Sequence, residues 1–292
     1  MNKLDKVFKN ADRIKIDDNS KIVIMSDCHR GSGDSYDNFL KNRIIYEEAL
    51  NYYYKNDFTY IELGDGDDMW EVENYKDIVN EHIDSFKLLK KFWNKNRLIM
   101  IYGNHDMVKN SKEVLNNVFY KYYDKEQDKE LELLYNLRVV EALVLDYNGN
   151  DIFLLHGHQI DLISGKFWWL SRLLVRHIWK NVERFGLNDP TRAAKNYKVS
   201  KRIEKKLEKW GLRNNIIIIA GHTHRPIFPN VGKSLYFNDG SCVHPNGITC
   251  LEIINGKISL VKWIYSINDN HVIVKKDIIE GSEYIKDFYK EE

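Results

Sequence analysis

The stretch KIVIMSDCH, residues 21–29, carries an apolar, β-branched run straight into an aspartate and a histidine. Its first six residues read as a buried strand, so Asp27 and His29 stand just past a strand end. FTYIEL (58–63) and RLIMIY (97–102) repeat the pattern. Residues 36–55 and 74–95 between them have helical length and spacing, with Ile78, Ile83, Phe86, Leu89 and Trp93 on one stripe. The first hundred residues therefore predict β-α-β-α-β with parallel strands, and a ligand site beyond the strands' carboxyl ends.

Past a helix expected near 111–124 the pattern changes. RVVEALVLDYNGNDIFLLH (138–156) is apolar on both sides of Asn148-Gly149-Asn150, which marks a hairpin. Residues 161–212 read as two or more helices without strand character. Strand patterning returns in NIIIIA (215–220), SLYFN, ITCLEI and ISLVKWIY, the last two joined at Asn255-Gly256. The fold class expected from pattern alone is α/β with a β-rich second half, as one domain over 1–292 with a helical cap inserted at about 161–212.

Four prolines in 292 residues leave little room for flexible linkers, and 43% hydrophobic with 30% charged residues is ordinary for a soluble domain. The N-terminal MNKLDKVFKNADRIKIDD mixes charge through every turn, unlike a secretory signal. Cys28, Cys242 and Cys250 are odd in number and lack CxxC spacing, which argues against disulfides and a thiolate zinc site. A cytoplasmic protein is expected. Residues 166–209 hold thirteen Lys or Arg against four Asp or Glu, a local charge of +9 in a chain whose total is +1.

Five strand ends carry the same kind of residue. They are Asp27-Cys28-His29, Gly64-Asp65-Gly66-Asp67-Asp68, Gly103-Asn104-His105-Asp106, His156-Gly157-His158 and Gly221-His222-Thr223-His224. Nitrogen and oxygen ligands without thiolate suit a first-row divalent ion such as manganese, iron, nickel or zinc. In an extended segment, alternate residues such as Asp27 and His29, or His222 and His224, face one site. A glycine before Asp65, Asn104 and His222 is expected to let the chain turn sharply.

These blocks, in this order, resemble the calcineurin-like metallophosphoesterases, whose pattern is DxH, GDxxD, GNH with a following acid, a lone His, and GHxH. The resemblance implies a four-layer αββα sandwich of two mixed β-sheets. It implies that Asp27, His29 and His224 bind one divalent metal, that Asn104, His156 and His222 bind a second, and that Asp65 bridges them. A hydroxide shared by the two ions would then attack a phosphate mono- or diester without a covalent intermediate. His105 would be the general acid, Asp68 its orienting partner, and Asp106 a support for a neighbouring ligand.

Other residues keep two readings. Arg30 and Arg225, each directly after a ligand block, either meet substrate phosphate or form ion pairs, and His158 is either a substrate contact or a hydrogen-bonding neighbour. Cys28 is expected to pack on the far side of its loop, and His82, His177 and His271 to be structural or solvated. His244, near the Asn238-Asp239-Gly240-Ser241 turn, is a weaker candidate for the cleft. In the insertion, FWWLSRLLVRHIW (167–179) bears a stripe of Phe167, Leu170, Leu174 and Ile178 that either packs the cap or lies in a membrane interface.

The cationic insertion favours an anionic, phosphorylated substrate, and peripheral contact through 166–209 with the inner membrane face is the alternative setting. It resembles the insertion of the UDP-2,3-diacylglucosamine pyrophosphatases, which act on a lipid-nucleotide at the membrane surface. Those enzymes carry Arg where this chain has His105, which sets the chain apart from them. A nucleic-acid substrate is disfavoured, because no extended basic and aromatic track is evident. A non-catalytic scaffold is a further alternative, which predicts missing ligands.

Overall fold

The computed structural model describes residues 2–161, 196–269 and 271–290. In chain order the first elements are α1 (Lys3–Asn10), β1 (Asp12–Ile16), β2 (Ile22–Met25), α2 (Arg43–Lys55), β3 (Thr59–Leu63), α3 (Tyr75–Glu81), α4 (Ile83–Trp93), β4 (Leu98–Ile101) and α5 (Lys112–Val118). There follow β5 (Lys121–Asp124), β6 (Lys129–Glu132), β7 (Val139–Val140), β8 (Ala142–Tyr147) and β9 (Asn150–Leu155). After α6 (Tyr197–Asn214) come β10 (Ile217–Ala220), β11 (Tyr236–Asn238), β12 (Ile248–Ile254), β13 (Lys257–Asn268) and β14 (His271–Tyr284).

The strands build a seven-stranded sheet, ordered β14-β13-β12-β2-β3-β4-β7, and a five-stranded sheet, ordered β1-β8-β9-β10-β11. Both are mixed: β2, β3 and β4 pair in parallel while β12 runs antiparallel to β2, and β8–β9 is an antiparallel hairpin beside the parallel pair β9–β10. The period-2 alternation explains the layers. Ile22 and Ile24 of β2, with Ile61 and Leu63 of β3, pack on Leu143, Leu145, Ile152 and Ile217 of the other sheet. Val23, Met25 and Tyr60 point the opposite way, into the helices α2 and α4. Across the molecule, α1 and α6 cover the five-stranded sheet through Leu4, Val7, Ile203, Leu207 and Trp210. The result is the helix–sheet–sheet–helix sandwich.

Several boundaries differ from those expected. The 74–95 helix is two, broken at His82, and 111–124 is a seven-residue helix followed by a strand, because Lys121–Asp124 pairs with Lys129–Glu132. Strand β14 escapes pattern reading because its exposed side chains show no alternation. Of the expected helical insertion, Tyr197–Asn214 forms one helix, while 162–195, including His177 and the 167–179 stripe, lie outside the described residues. Among the described residues no helix is long and apolar enough to cross a membrane.

His82 is structural. Its Nε2 meets the Asp37 carboxylate at 2.7 Å with both side chains fully buried, and Asp37 also accepts from the Gly33 and Phe39 amides. Burial opposes ionisation of Asp37, but His82 and the Gly33 amide outweigh it and hold the carboxyl below its ordinary value. A depressed folded pKa gives stability that is present above the ordinary carboxyl range and lost as pH falls through it. Asp37→Asn is therefore expected to cost ~1–3 kcal/mol at neutral pH, with the gap to wild type closing below pH ~4. Urea unfolding of both proteins across that range checks it; a pH-independent gap would remove the carboxylate from the account.

Candidate metal centre

The loops that leave β2 and β3 continue the pairing of those strands. Asp27 N donates to Gly64 O at 3.0 Å, His29 N to Asp65 O at 2.9 Å and Arg30 N to Gly66 O at 3.0 Å. The loop after β4 is tied in by His105 N donating to Asp65 Oδ1 at 2.8 Å, and the loop after β10 by His222 N donating to Asp27 Oδ2 at 2.9 Å. Four loops from two sheets are thus locked by their own backbones around Asp27 and Asp65.

The local conformation is not the extended one expected. Asp27, His29, Asp65, His222 and His224 all have positive φ, between 49° and 66°. Left-handed backbone is costly for residues with a Cβ, on the order of 1–2 kcal/mol each, and five such residues in one cluster point to a functional constraint. The glycines divide by role. Gly64, at φ +90°, supplies a turn, whereas at Gly103 the need is closeness: a Cβ there would run into the Asp65 carboxylate.

Two triads result. Asp27, His29 and His224 offer ligand atoms within 4.8 Å of one another, as do Asp65, His156 and His222. His29 Nε2 and His224 Nε2 are 3.3 Å apart, His224 Nε2 is 3.0 Å from Asp27 Oδ1, and His156 Nε2 is 3.1 Å from Asp65 Oδ2 and 3.9 Å from Asp27 Oδ1. His156 Nδ1 contacts the Leu63 carbonyl at 2.9 Å, which accepts its proton and turns Nε2 toward the two carboxylates. The seventh expected ligand, Asn104, is buried between Gly103 and His105.

The electrostatics favour a cation. Burial disfavours charge on Asp27, yet His224 and His156 hold it well below the ordinary carboxylate range, and Asp65 is likewise lowered against burial by His156 and His105. Burial pulls the other way on His156, but Asp65 and Asp27 push it up to about 10. Asp27 Oδ1, Asn104 Oδ1 and His156 Nε2 are buried with no hydrogen bond of good geometry. Buried polar atoms normally have partners, and two of these, Asp27 Oδ1 and His156 Nε2, lie 3.9 Å apart, which fits a divalent metal ion with mixed nitrogen and oxygen ligands.

His105 lies beside the triads. Its Nδ1 is 3.0 Å from Asp68 Oδ1, its ring stacks on Trp70 at 4.4 Å, and one ring nitrogen lies within 4.8 Å of ligand atoms on His29 and Asp65. Asp106 holds the neighbouring loop: its carboxylate accepts from Gly103 N at 2.7 Å, Gly66 N at 3.1 Å and Asp65 N at 3.3 Å.

Arg30 does not face substrate. Its side chain is fully buried, forked onto Glu62 at 2.8 and 2.9 Å and bound to Asp67 Oδ1 at 2.6 Å, so it is committed to two buried carboxylates, the ion-pair reading. Arg225 is held by Glu204 at 3.5 Å and over the Tyr197 ring at 4.9 Å, again the ion-pair reading. His158 is buried with its ring 5.6 Å from that of His156, and burial lowers its pKa, so it is a neutral neighbour of a ligand. Cys28 packs in the core, and His244 lies next to His224, where burial lowers its pKa. His271 is exposed.

Three features had no signal in the motifs. Lys109 Nζ sits 2.7 Å from both Asp67 and Asp106. Ser26 Oγ bridges Asp27 Oδ2 at 2.5 Å and Asp239 Oδ1 at 2.8 Å. Asp161 Oδ2 is 3.4 Å from Nε2 of His222, a member of the second triad.

The family model for calcineurin-like phosphoesterase matches residues 20–226. Among solved structures the chain is similar to a predicted phosphoesterase of Streptococcus pneumoniae, with 15% identity, 88% of this chain and 98% of that one covered, and a TM-score of 0.37. It is also similar to vacuolar protein sorting 29 of Cryptosporidium parvum, at 15% identity, coverage of 90% and 98%, and TM-score 0.38. A cold-active protein-tyrosine phosphatase of Shewanella aligns at 16% identity, coverage of 89% and 81%, and TM-score 0.41. No curated protein matches the chain.

Proposed function

The chain belongs to the calcineurin-like phosphoesterase family, and from that premise we propose that it is a hydrolase of phosphate mono- or diesters that works with two divalent metal ions. The observation that carries this reading is the pair of buried triads, Asp27-His29-His224 and Asp65-His156-His222, with the His105–Asp68 pair beside them. Asp65 lies 3.1 Å from His156 of one triad and 3.9 Å from His29 of the other, so it would be shared between the two ions, and Asn104 would be a further ligand of the second. Bound divalent ions supply Lewis acidity toward phosphate oxygens and lower the pKa of the attacking water. The protein's own residues do the rest. Asp27, Asp65 and the imidazoles position the charges, and His105 delivers a proton to the leaving-group oxygen. Asp68 accepts from His105 Nδ1 and keeps the ring oriented and protonatable. Manganese is the first choice among iron, nickel and zinc.

The substrate is an anionic phosphoester, because the +9 carried by the sequence of residues 166–209 attracts anions to the protein. The same charge favours, as a second reading, a lipid-linked nucleotide diphosphate. The test is chelated protein reloaded with manganese and assayed against phosphomonoesters, phosphodiesters and nucleotide-diphospho-lipids. Activity lost on chelation and restored by metal on either ester class supports the proposal, and activity on the lipid substrate alone supports the second reading. Hydrolysis of none of them with any of the four metals leaves the non-catalytic scaffold.

A further inference from the structure

On the outer face of the five-stranded sheet, α1, α6 and the short turn that follows β9 enclose a cleft of about 340 Å³. Its floor is apolar: Leu4 and Trp210 are buried, Ile160 is half-buried, and the Trp210 Nε1 is taken by Asp5 at 2.7 Å, so the indole offers only its hydrocarbon surface. Its rim is cationic, formed by the exposed Lys3, Lys206, Lys209 and Arg213. Arg213 has a counter-ion, Asp5 at 3.2 Å; among the described residues no carboxylate lies within ion-pair distance of the three lysines. The charge extends along both helices, which hold three Lys to one Asp in α1 and seven Lys or Arg to two Glu in α6. The amino end of α1, capped at Asn2, opens into the same cleft and adds its partial positive charge.

We propose that this cleft docks an anionic phospholipid of a membrane surface, with the phosphate on Lys3, Lys206 and Lys209 and the start of an acyl chain over Leu4, Ile160 and Trp210. Charge complementarity selects an anion. The apolar floor selects one with a hydrocarbon part, since a bare phosphate would leave it unused, and the volume lies at the lower end for small-molecule sites. A nucleic-acid strand would require several aromatic faces for successive bases, whereas Trp210 is the one aromatic side chain among the residues that line this cleft. Peripheral membrane binding combines such apolar contact with attraction of basic side chains to anionic headgroups, and it requires no spanning helix. The site does not depend on the hydrolase reading.

The test is flotation of the full chain with phosphatidylcholine vesicles, with and without phosphatidylglycerol as a minority component. Retention only on the phosphatidylglycerol vesicles is expected, falling about thirtyfold or more in Lys206→Glu/Lys209→Glu, at ~1 kcal/mol for each basic residue at the surface. Lys91→Glu/Lys95→Glu, an equal charge change on the opposite helical layer, should bind as wild type. The inference is overturned by no retention on either vesicle, by equal retention on both, or by an equal loss in the distant pair. Displacement by inorganic phosphate at the concentration of the vesicle phosphatidylglycerol overturns it as well, by assigning the site to a free anion.

Discussion

His105→Ala is expected to lower hydrolysis of an alkyl phosphoester by ~10²–10⁴ while leaving the metal content of the protein unchanged, as for loss of a general acid. The geometry makes this prediction two-sided. A ring nitrogen of His105 shares a 4.8 Å cluster with His29 and Asp65, so a ligand role is also open to it by distance alone. What argues for the acid is the other side of the ring: Asp68 takes Nδ1 at 3.0 Å and Trp70 covers one face, an arrangement that fixes its orientation. A general acid matters in proportion to how badly the leaving group needs a proton, so the loss should shrink toward tenfold or less for a nitrophenyl ester. Metal analysis of the purified variant beside rates on both ester types decides it. A variant that loses metal together with activity on both substrates makes His105 a ligand and sinks the acid assignment.

How much of this was legible in the residues depends on whether local pattern or spatial pairing set it. Ile22, Val23, Ile24 and Met25 announce a strand buried on both faces because sheet geometry has a period of two, and the residues after it are then placed at a rim without further information. Asp27, His29 and the other candidate ligands could be named for the same reason. Their left-handed backbone could not, since DxH and HxH read equally well as extended chain; only the pairing of the Asp27 and His29 amides with the β3 loop forces the turn. Arg30 misleads because its position beside a ligand block says nothing of Glu62, a single charge inside an apolar strand that waits for it across the sheet. Asp161 was hidden by distance, 61 residues from the histidine it approaches.

Lys109→Met is expected to destabilise the protein by ~3–5 kcal/mol, the cost of removing one partner from a buried ionic group. The chain length is nearly kept, so the loss is electrostatic. Lys109 is buried, 2.7 Å from Asp67 and Asp106 and 3.7 Å from Glu62, and its ammonium lies 5.5 Å from the Phe119 ring centre. With Arg30 it balances three carboxylates, so the cluster is already negative by one in wild type and becomes negative by two in the variant. Asp106 is the group that should yield. Burial already raises its pKa, Lys109 opposes that rise, and without the lysine it should hold its proton to higher pH. A raised folded pKa contributes stability below the ordinary carboxyl pKa that is lost as pH climbs, so the variant's deficit should be largest at neutral pH and smaller in mild acid. Asp106→Asn in the same chain should recover part of the loss, because the two sites are in contact and their effects are not additive. The recovery should not extend to metal affinity. Asp106 positions the Asp65 and Gly66 amides through its two oxygens, and an amide side chain can accept at only one. Denaturant melts of the three proteins with and without manganese separate these effects; a deficit that is the same at every pH, or that the second substitution deepens, would take the charge balance out of the explanation.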